Sequence, residues 1–220
     1  MTRETQNVKV KNIENNLISM TSLVEKQLYE SILCLKNYDL DKIESVIKND
    51  DTVDEMHKKI EEECIKFIAT EQPLATDLRR VFAASKIVTD LERMADHAVD
   101  VCKLTKRIGR SLSVFNGNLE DLWEMDRKVR SMIKIATHSY INNDVELAYD
   151  ICKEDDKIDN LYKSLFEKII GIIKEKDNLI NDGTHLLFVL KYLERIADHV
   201  TNICEWTIFS KKGVYVDLNE

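Results

Sequence analysis

The chain has 220 residues, 44% of them hydrophobic and 33% charged, but only five glycines and one proline. An average protein carries roughly 12% glycine plus proline, so there is little material here for the many turns of a sandwich, a barrel or a doubly wound sheet. The 32 basic and 40 acidic side chains leave a net charge of −8, a balance that repels nucleic-acid phosphates and anionic lipid.

Apolar residues recur at helical spacing along nearly the whole chain. Ile43, Val46, Ile47, Val53, Ile60, Cys64, Phe67 and Ile68 form one stripe, and Leu78, Val81, Phe82, Val88 and Val99 form another. The pattern predicts six helices, over roughly 6–36, 40–70, 74–108, 118–142, 144–176 and 183–210. Breaks are expected at Asn37-Tyr38-Asp39, Gln72-Pro73, Phe115-Asn116-Gly117 and Asn181-Asp182-Gly183, with Pro73 and Asp182-Gly183 serving as helix-start signals. A helix of about 28 residues is roughly 42 Å long, so such rods must lie antiparallel in a bundle.

The chain opens on the polar segment Met1 to Asn7 and contains no apolar run near the ~20 residues of a membrane span. Its five cysteines, Cys34, Cys64, Cys102, Cys152 and Cys204, are odd in number and far apart, without a CxxC pair. That usage suits a reducing compartment and argues against a disulfide framework or a thiolate zinc site. The expected location is cytoplasmic, with neither nucleic-acid binding nor membrane insertion.

An internal repeat decides the architecture. Leu91-Glu92-Arg93-Met94-Ala95-Asp96-His97-Ala98-Val99-Asp100-Val101-Cys102 returns as Leu193-Glu194-Arg195-Ile196-Ala197-Asp198-His199-Val200-Thr201-Asn202-Ile203-Cys204, identical at seven of twelve positions and offset by 102. Upstream, Asp50-Asp51-Thr52-Val53-Asp54 answers to Asp155-Asp156-Lys157-Ile158-Asp159 at an offset of 105. The reading is an all-α fold of two tandem antiparallel three-helix bundles, 1–112 and 113–220, made by duplication.

The functional signal is acid where core is expected. On a helical wheel Asp50 and Asp54 fall on the stripe of Ile43, Ile47 and Val53, and Glu92 and Asp96 continue that of Ser85 and Val88. Asp155 and Asp159 interrupt Ile151, Ile158 and Tyr162, while Glu194 and Asp198 follow Leu187 and Leu190. Like charges four residues apart repel even in water, and an unpaired ion taken out of water costs several kcal/mol. Protonation, pairing with a basic side chain or binding of a cation would each relieve this. Arg93 and Arg195 project about 100° from their neighbouring glutamates, which makes pairing within one helix awkward. Hard cations prefer carboxylate oxygens, and the duplication of the pattern favours cation binding over a solvated acidic face.

These segments resemble the twin E-R-(I/M)-(A/G)-D motifs of the PhoU family of bacterial phosphate-uptake regulators. Gln72-Pro73-Leu74-Ala75-Thr76-Asp77-Leu78-Arg79 is similar to that family's Q-P-x-A-x-D-L-R segment, and Asn202-Ile203-Cys204-Glu205 to its second-copy ending. The resemblance spans essentially the whole chain. It implies a usually dimeric pair of three-helix bundles with multinuclear metal sites, Asp50, Asp54, Glu92 and Asp96 matching the first and Asp155, Asp159, Glu194 and Asp198 the second. Iron is the favoured metal, with zinc, manganese or magnesium as alternatives. Asn202 matches a frequent family Asn, whereas Asp100 departs from it. The resemblance further implies negative control of phosphate uptake and phosphate-starvation signalling, through the ATPase subunit of a phosphate ABC transporter and a sensor histidine kinase.

Weaker candidates accompany the eight acids. Glu62 and Glu167 occupy equivalent positions two turns past Asp54 and Asp159 and read best as surface acids. His97 and His199, one residue beyond the inward aspartates, suit a helix interface as well as a ligand or its support. His57 stands at a D-x-x-H spacing from Asp54. No phosphate-binding glycine loop, G-x-S-x-G or E-x-x-H occurs, so a redox di-iron enzyme is disfavoured and the protein reads as a non-enzyme. A metal-dependent carboxylate enzyme and a metal-free helical adaptor stand as the alternatives.

Overall fold

The computed structural model describes residues 3–115 and 119–218. Six helices follow in order: α1 (Arg3–Asn37), α2 (Leu40–Glu71), α3 (Ala75–Ile108), α4 (Glu120–Asn142), α5 (Val145–Glu175) and α6 (Ile180–Lys212). Short 3-10 turns at Leu112–Phe115 and Asp177–Leu179 precede α4 and α6. Among the described residues there is no strand. At the expected break Phe115-Asn116-Gly117, Phe115 ends the first 3-10 turn, while Asn116 and Gly117 lie outside the described residues.

The duplication is visible in the turns. Tyr38 (φ 55°) and Asn143 (φ 52°) take the left-handed conformation that ends α1 and α4. Each is followed by an aspartate that caps the next helix: Asp39 accepts from the Lys42 amide at 3.1 Å, and Asp144 from the Leu147 amide at 3.0 Å. At the end of α2 the same left-handed turn falls on Gln72 (φ 47°), and Pro73 follows before α3 can start.

One expected break is wrong. Asn181-Asp182-Gly183 lies inside the first turn of α6, which starts at Ile180. Asp182 is 4% exposed and caps nothing; its carboxylate accepts from Arg110 Nε at 2.7 Å, tying the end of α3 to the start of α6. Gly183 serves packing, because a β-carbon there would stand 2.5 Å from Ile173 Cγ1. The composition signal was genuine, but a tertiary ion pair and a close helix approach account for it.

Helices α1, α2 and α3 pack on one another, as do α4, α5 and α6, and α3 against α6 and α1 against α4 join the two sets. One core runs through both halves, with Leu28, Leu91, Ile133 and Leu193 all fully buried. A satellite cluster of Cys34, Ile43, Val46 and Cys102 sits under the α1–α2 turn. The predicted stripes are right except at their ends: Ile68 and Leu78 are exposed. A polar stitch crosses the α1–α3–α4 junction. Arg80 pairs with the buried Glu14 at 2.5 Å and donates to the Ile141 carbonyl at 2.9 Å. The Tyr140 hydroxyl donates to the Arg80 carbonyl at 2.7 Å.

Along the seam α3 and α6 run antiparallel. Phe82 meets Trp206 and Phe209 edge-on at 6.0 Å, Asp90 meets His199, and His97 stacks on Tyr192 at 5.2 Å. At the 102-residue offset, Asp90–His199 and Tyr192–His97 are the same contact made twice. The two halves are therefore related by a pseudo-twofold axis that crosses the seam at the level of Met94 and Ile196, both fully buried.

Candidate metal centres

The eight acids gather as two equivalent quartets, one in the groove between α2 and α3 and one between α5 and α6. All eight residues are half-buried; the Glu92 and Glu194 side chains, at matching positions, are 17% and 16% exposed, while those of Asp96 and Asp159, at the groove mouths, are 40% and 47% exposed. They are thus neither in the apolar core nor fanned into bulk water. Each is held on a long helix whose apolar face is fixed by the core, and this is what points the acids of one helix at those of its neighbour.

Their charges act on one another across each groove. Burial, and then the charges of Asp96 and Asp54, hold the Asp50 carboxyl above its ordinary range, although a hydrogen bond from Gln27 at 2.8 Å opposes this. Glu92 is raised by burial and by Asp96 and Asp54. In the second quartet burial, Asp198, Asp159 and Glu194 push Asp155 up to about 7. Asp198 is raised by burial, Glu194 and Asp159. Each quartet is a pocket of mutually repelling carboxylates that a positive ion would relieve.

Basic side chains supply part of that relief, more than the sequence suggested. Arg93 reaches forward along its own helix to donate to Asp96 at 3.2 Å and lies 3.5 Å from Glu92. The expectation that it would be turned away is therefore incorrect, because a guanidinium on a long flexible stem spans the 100° offset. In the second quartet Lys191 sits 2.5 Å from Glu194 and Lys163 3.6 Å from Asp159. The pairing is loose in the first: Glu92 Oε2 and His57 Nε2 are both buried without a hydrogen bond, and their ion-pair partners, Arg93 and Glu61, each stand 3.5 Å away. Among the described residues, no group of three His, Cys, Asp or Glu side chains already stands in a metal-holding arrangement. The donor set nevertheless fits a hard cation. It is all oxygen in the second quartet, and in the first it carries a buried carboxylate oxygen without a hydrogen bond, with the His57 imidazole beside it. Binding would require Asp96 and Glu194 to exchange Arg93 and Lys191 for the ion.

The weaker candidates fall elsewhere. Glu62 and Glu167 are exposed. Asn202 and His199 turn to the α3–α6 seam, where both donate to the buried Asp90, at 3.0 and 2.9 Å. Asp100 pairs with Lys103 at 2.9 Å and lies beside Tyr192. His97 is 7% exposed, stacked between Tyr192 and His199, and neither ring nitrogen has a partner. Burial and the nearby Arg195 and His199 charges lower its pKa to about 4. Asp90, Gln27 and Lys191 were missed by sequence reasoning. The repeat hid them, since they align with Tyr192, Met132 and Thr89.

Among the described residues no helix is long and apolar enough to cross a membrane. The PhoU domain family model matches the chain twice, over residues 17–105 and 122–207, one match in each half of the pseudo-symmetric fold. A phosphate-specific transport system accessory protein PhoU homolog of Clostridium acetobutylicum is 42% identical over 221 residues, covering all of both chains. The Escherichia coli accessory protein PhoU is 30% identical over 207 residues, covering 94% of this chain and 85% of the relative. The crystal structure of the phosphate transport system regulatory protein PhoU from Streptococcus pneumoniae superimposes with a TM-score of 0.87 at 27% identity, over 96% of this chain and 99% of that one. PhoU from Pseudomonas aeruginosa superimposes with a TM-score of 0.84 at 28% identity, over 94% and 99%. Twin helical motifs, twin acid grooves and whole-length relatives agree: the chain belongs to the PhoU family.

Proposed function

We propose that this protein is a regulator of a phosphate transport system and acts by contact rather than by catalysis, its two carboxylate quartets binding metal ions. The observation that carries the metal reading is the pair of equivalent, half-buried, mutually repelling quartets, with Glu92 Oε2 buried without a hydrogen bond and only a 3.5 Å ion pair to Arg93. Asp50, Asp54, Glu92 and Asp96 would hold ions in the first groove, with His57 at its edge, and Asp155, Asp159, Glu194 and Asp198 in the second. A hard cation, iron foremost, with zinc, manganese or magnesium as alternatives, would supply positive charge that the grooves lack. Each groove would then be clamped, α2 to α3 and α5 to α6.

The relatives' names support a role beside a phosphate transporter. On this reading the partners are the transporter's ATPase subunit and a phosphate-responsive sensor histidine kinase, met in the cytoplasm by a homodimer, with phosphate-starvation signalling as the output. The test is elemental analysis of the protein purified without chelator, beside its Glu92→Ala and Glu194→Ala variants. Each variant should lose about half of the bound metal; full occupancy in both would sink the assignment. Deletion of the gene should derepress alkaline phosphatase and alter phosphate uptake, and unchanged values for both would remove the regulatory reading. The metal-free alternative has Arg93 and Lys191 in its favour, and it prevails if no metal is found and none raises the melting temperature.

A further inference from the structure

A second polar feature lies outside both quartets, where the pseudo-twofold axis emerges between α3 and α6. It is an open cleft of about 530 Å³, lined on its basic side by Arg93, Arg195, Lys103, His97 and His199. The two arginines are equivalent residues of the two repeats, so the symmetry of the fold brings both to one opening. Asp96 and Asp100 also line it, engaged by Arg93 at 3.2 Å and Lys103 at 2.9 Å. Two acids and three permanent cations line it, and Arg93 also leans on Glu92 at 3.5 Å, so Arg195 is the lining cation that no acid takes up. Among the described residues Arg195 makes no ion pair, although it stands one turn from Asp198. His97 lines the same cleft with its ring 7% exposed and both nitrogens without a hydrogen-bond partner. A buried imidazole without partners costs stability, and a bound oxyanion is the partner that two flanking guanidiniums would also select.

We propose that this cleft binds an oxyanion, held between Arg93 and Arg195 with His97 donating to it, and that the anion is inorganic phosphate, a choice that rests on the proposed role beside a phosphate transporter. Guanidinium recognises a tetrahedral oxyanion by paired N–H donors, and one arginine from each repeat approaches from each side of the axis. The cleft is larger than a bare phosphate, so the ion enters with part of its water shell, which bridges to Lys103 and His199. None of the basic side chains involved belongs to the proposed metal ligands; without metal Arg93 is shared with Asp96, and the unpaired Arg195 is the main anchor.

The experiment is titration of the full metal-free chain with inorganic phosphate, in chelator and at fixed ionic strength, followed by calorimetry and by ¹H–¹⁵N spectra of the histidine rings. Saturable 1:1 binding is expected, with His97 ring nitrogens shifting while those of His138, exposed on α4, stay put. Arg195→Ala should weaken binding by roughly tenfold or more, Arg195→Lys less, and Arg127→Ala, exposed on α4, not at all. Arg195 is itself exposed, so these variants retain the fold, which circular dichroism verifies. Absence of saturable binding, or binding indifferent to Arg195→Ala and to Arg93→Ala, overturns the proposal. Because the assay is run without metal, its failure leaves the metal reading standing, and failure of the metal reading leaves this one standing.

Discussion

Replacement of Asp155 by Asn tests the quartet electrostatics directly. Burial and four neighbouring carboxylates raise this group from 3.8 to about 7, so the folded metal-free chain holds that proton more tightly than the unfolded chain does. The resulting penalty is absent below pH 3.8, grows as the pH rises from there and is complete above about 7. Three pH units would correspond to about 4 kcal/mol for a group shielded from water; for a half-exposed carboxylate, solvent screening leaves about 1–2 kcal/mol. In chelator at pH 8, Asp155→Asn should therefore melt about 2–6 °C higher than the wild type, and the difference should vanish near pH 4. With metal added the order should invert, because the wild type gains an ion that the variant lacks a ligand to hold. Denaturation scans from pH 4 to 9, with and without metal, read both effects. Equal stability at pH 8 and pH 4 would refute the account of the grooves as mutually repelling acids.

Three further outcomes follow from the packing. Arg80→Ala strands the buried Glu14 and should cost about 3 kcal/mol in urea unfolding, whereas Tyr140→Phe loses only one hydrogen bond, about 1 kcal/mol. Gly183→Ala drives a methyl group against Ile173 and should destabilise by about 1–2 kcal/mol despite its better helix propensity; in an Ile173→Ala background the same change should become stabilising. Asp39→Ala and Asp144→Ala each remove a helix cap and should each cost about 1 kcal/mol, additively, as they lie far apart.

The helices were legible because their signals are local: apolar periodicity, scarce glycine and the breaks at Asn37-Tyr38-Asp39 and Gln72-Pro73. The quartets were legible because the repeat presented each acid twice. The start of α6 was not, since Asp182 and Gly183 carry the composition of a helix boundary but answer to Arg110 and Ile173, residues remote in sequence. Nor was the role of Arg93 or Lys191 visible, because a wheel fixes where a side chain leaves the helix and not how far its charged end can reach. The pairing of Asp90 with His199 and Asn202 escaped for a further reason. It joins different positions of the two copies, so aligning one copy on the other cannot bring it out.

The seam between α3 and α6 bears on how such a chain could have arisen. Its contacts pair each repeat's surface with the same surface of the other, which is the arrangement of an isologous dimer. A free three-helix ancestor carrying that face would have associated with itself and depended on concentration to do so. Tandem fusion would make the encounter intramolecular, and partners no longer obliged to be identical would be free to differ at equivalent positions, as Asp90 does from Tyr192 and Asp100 from Asn202.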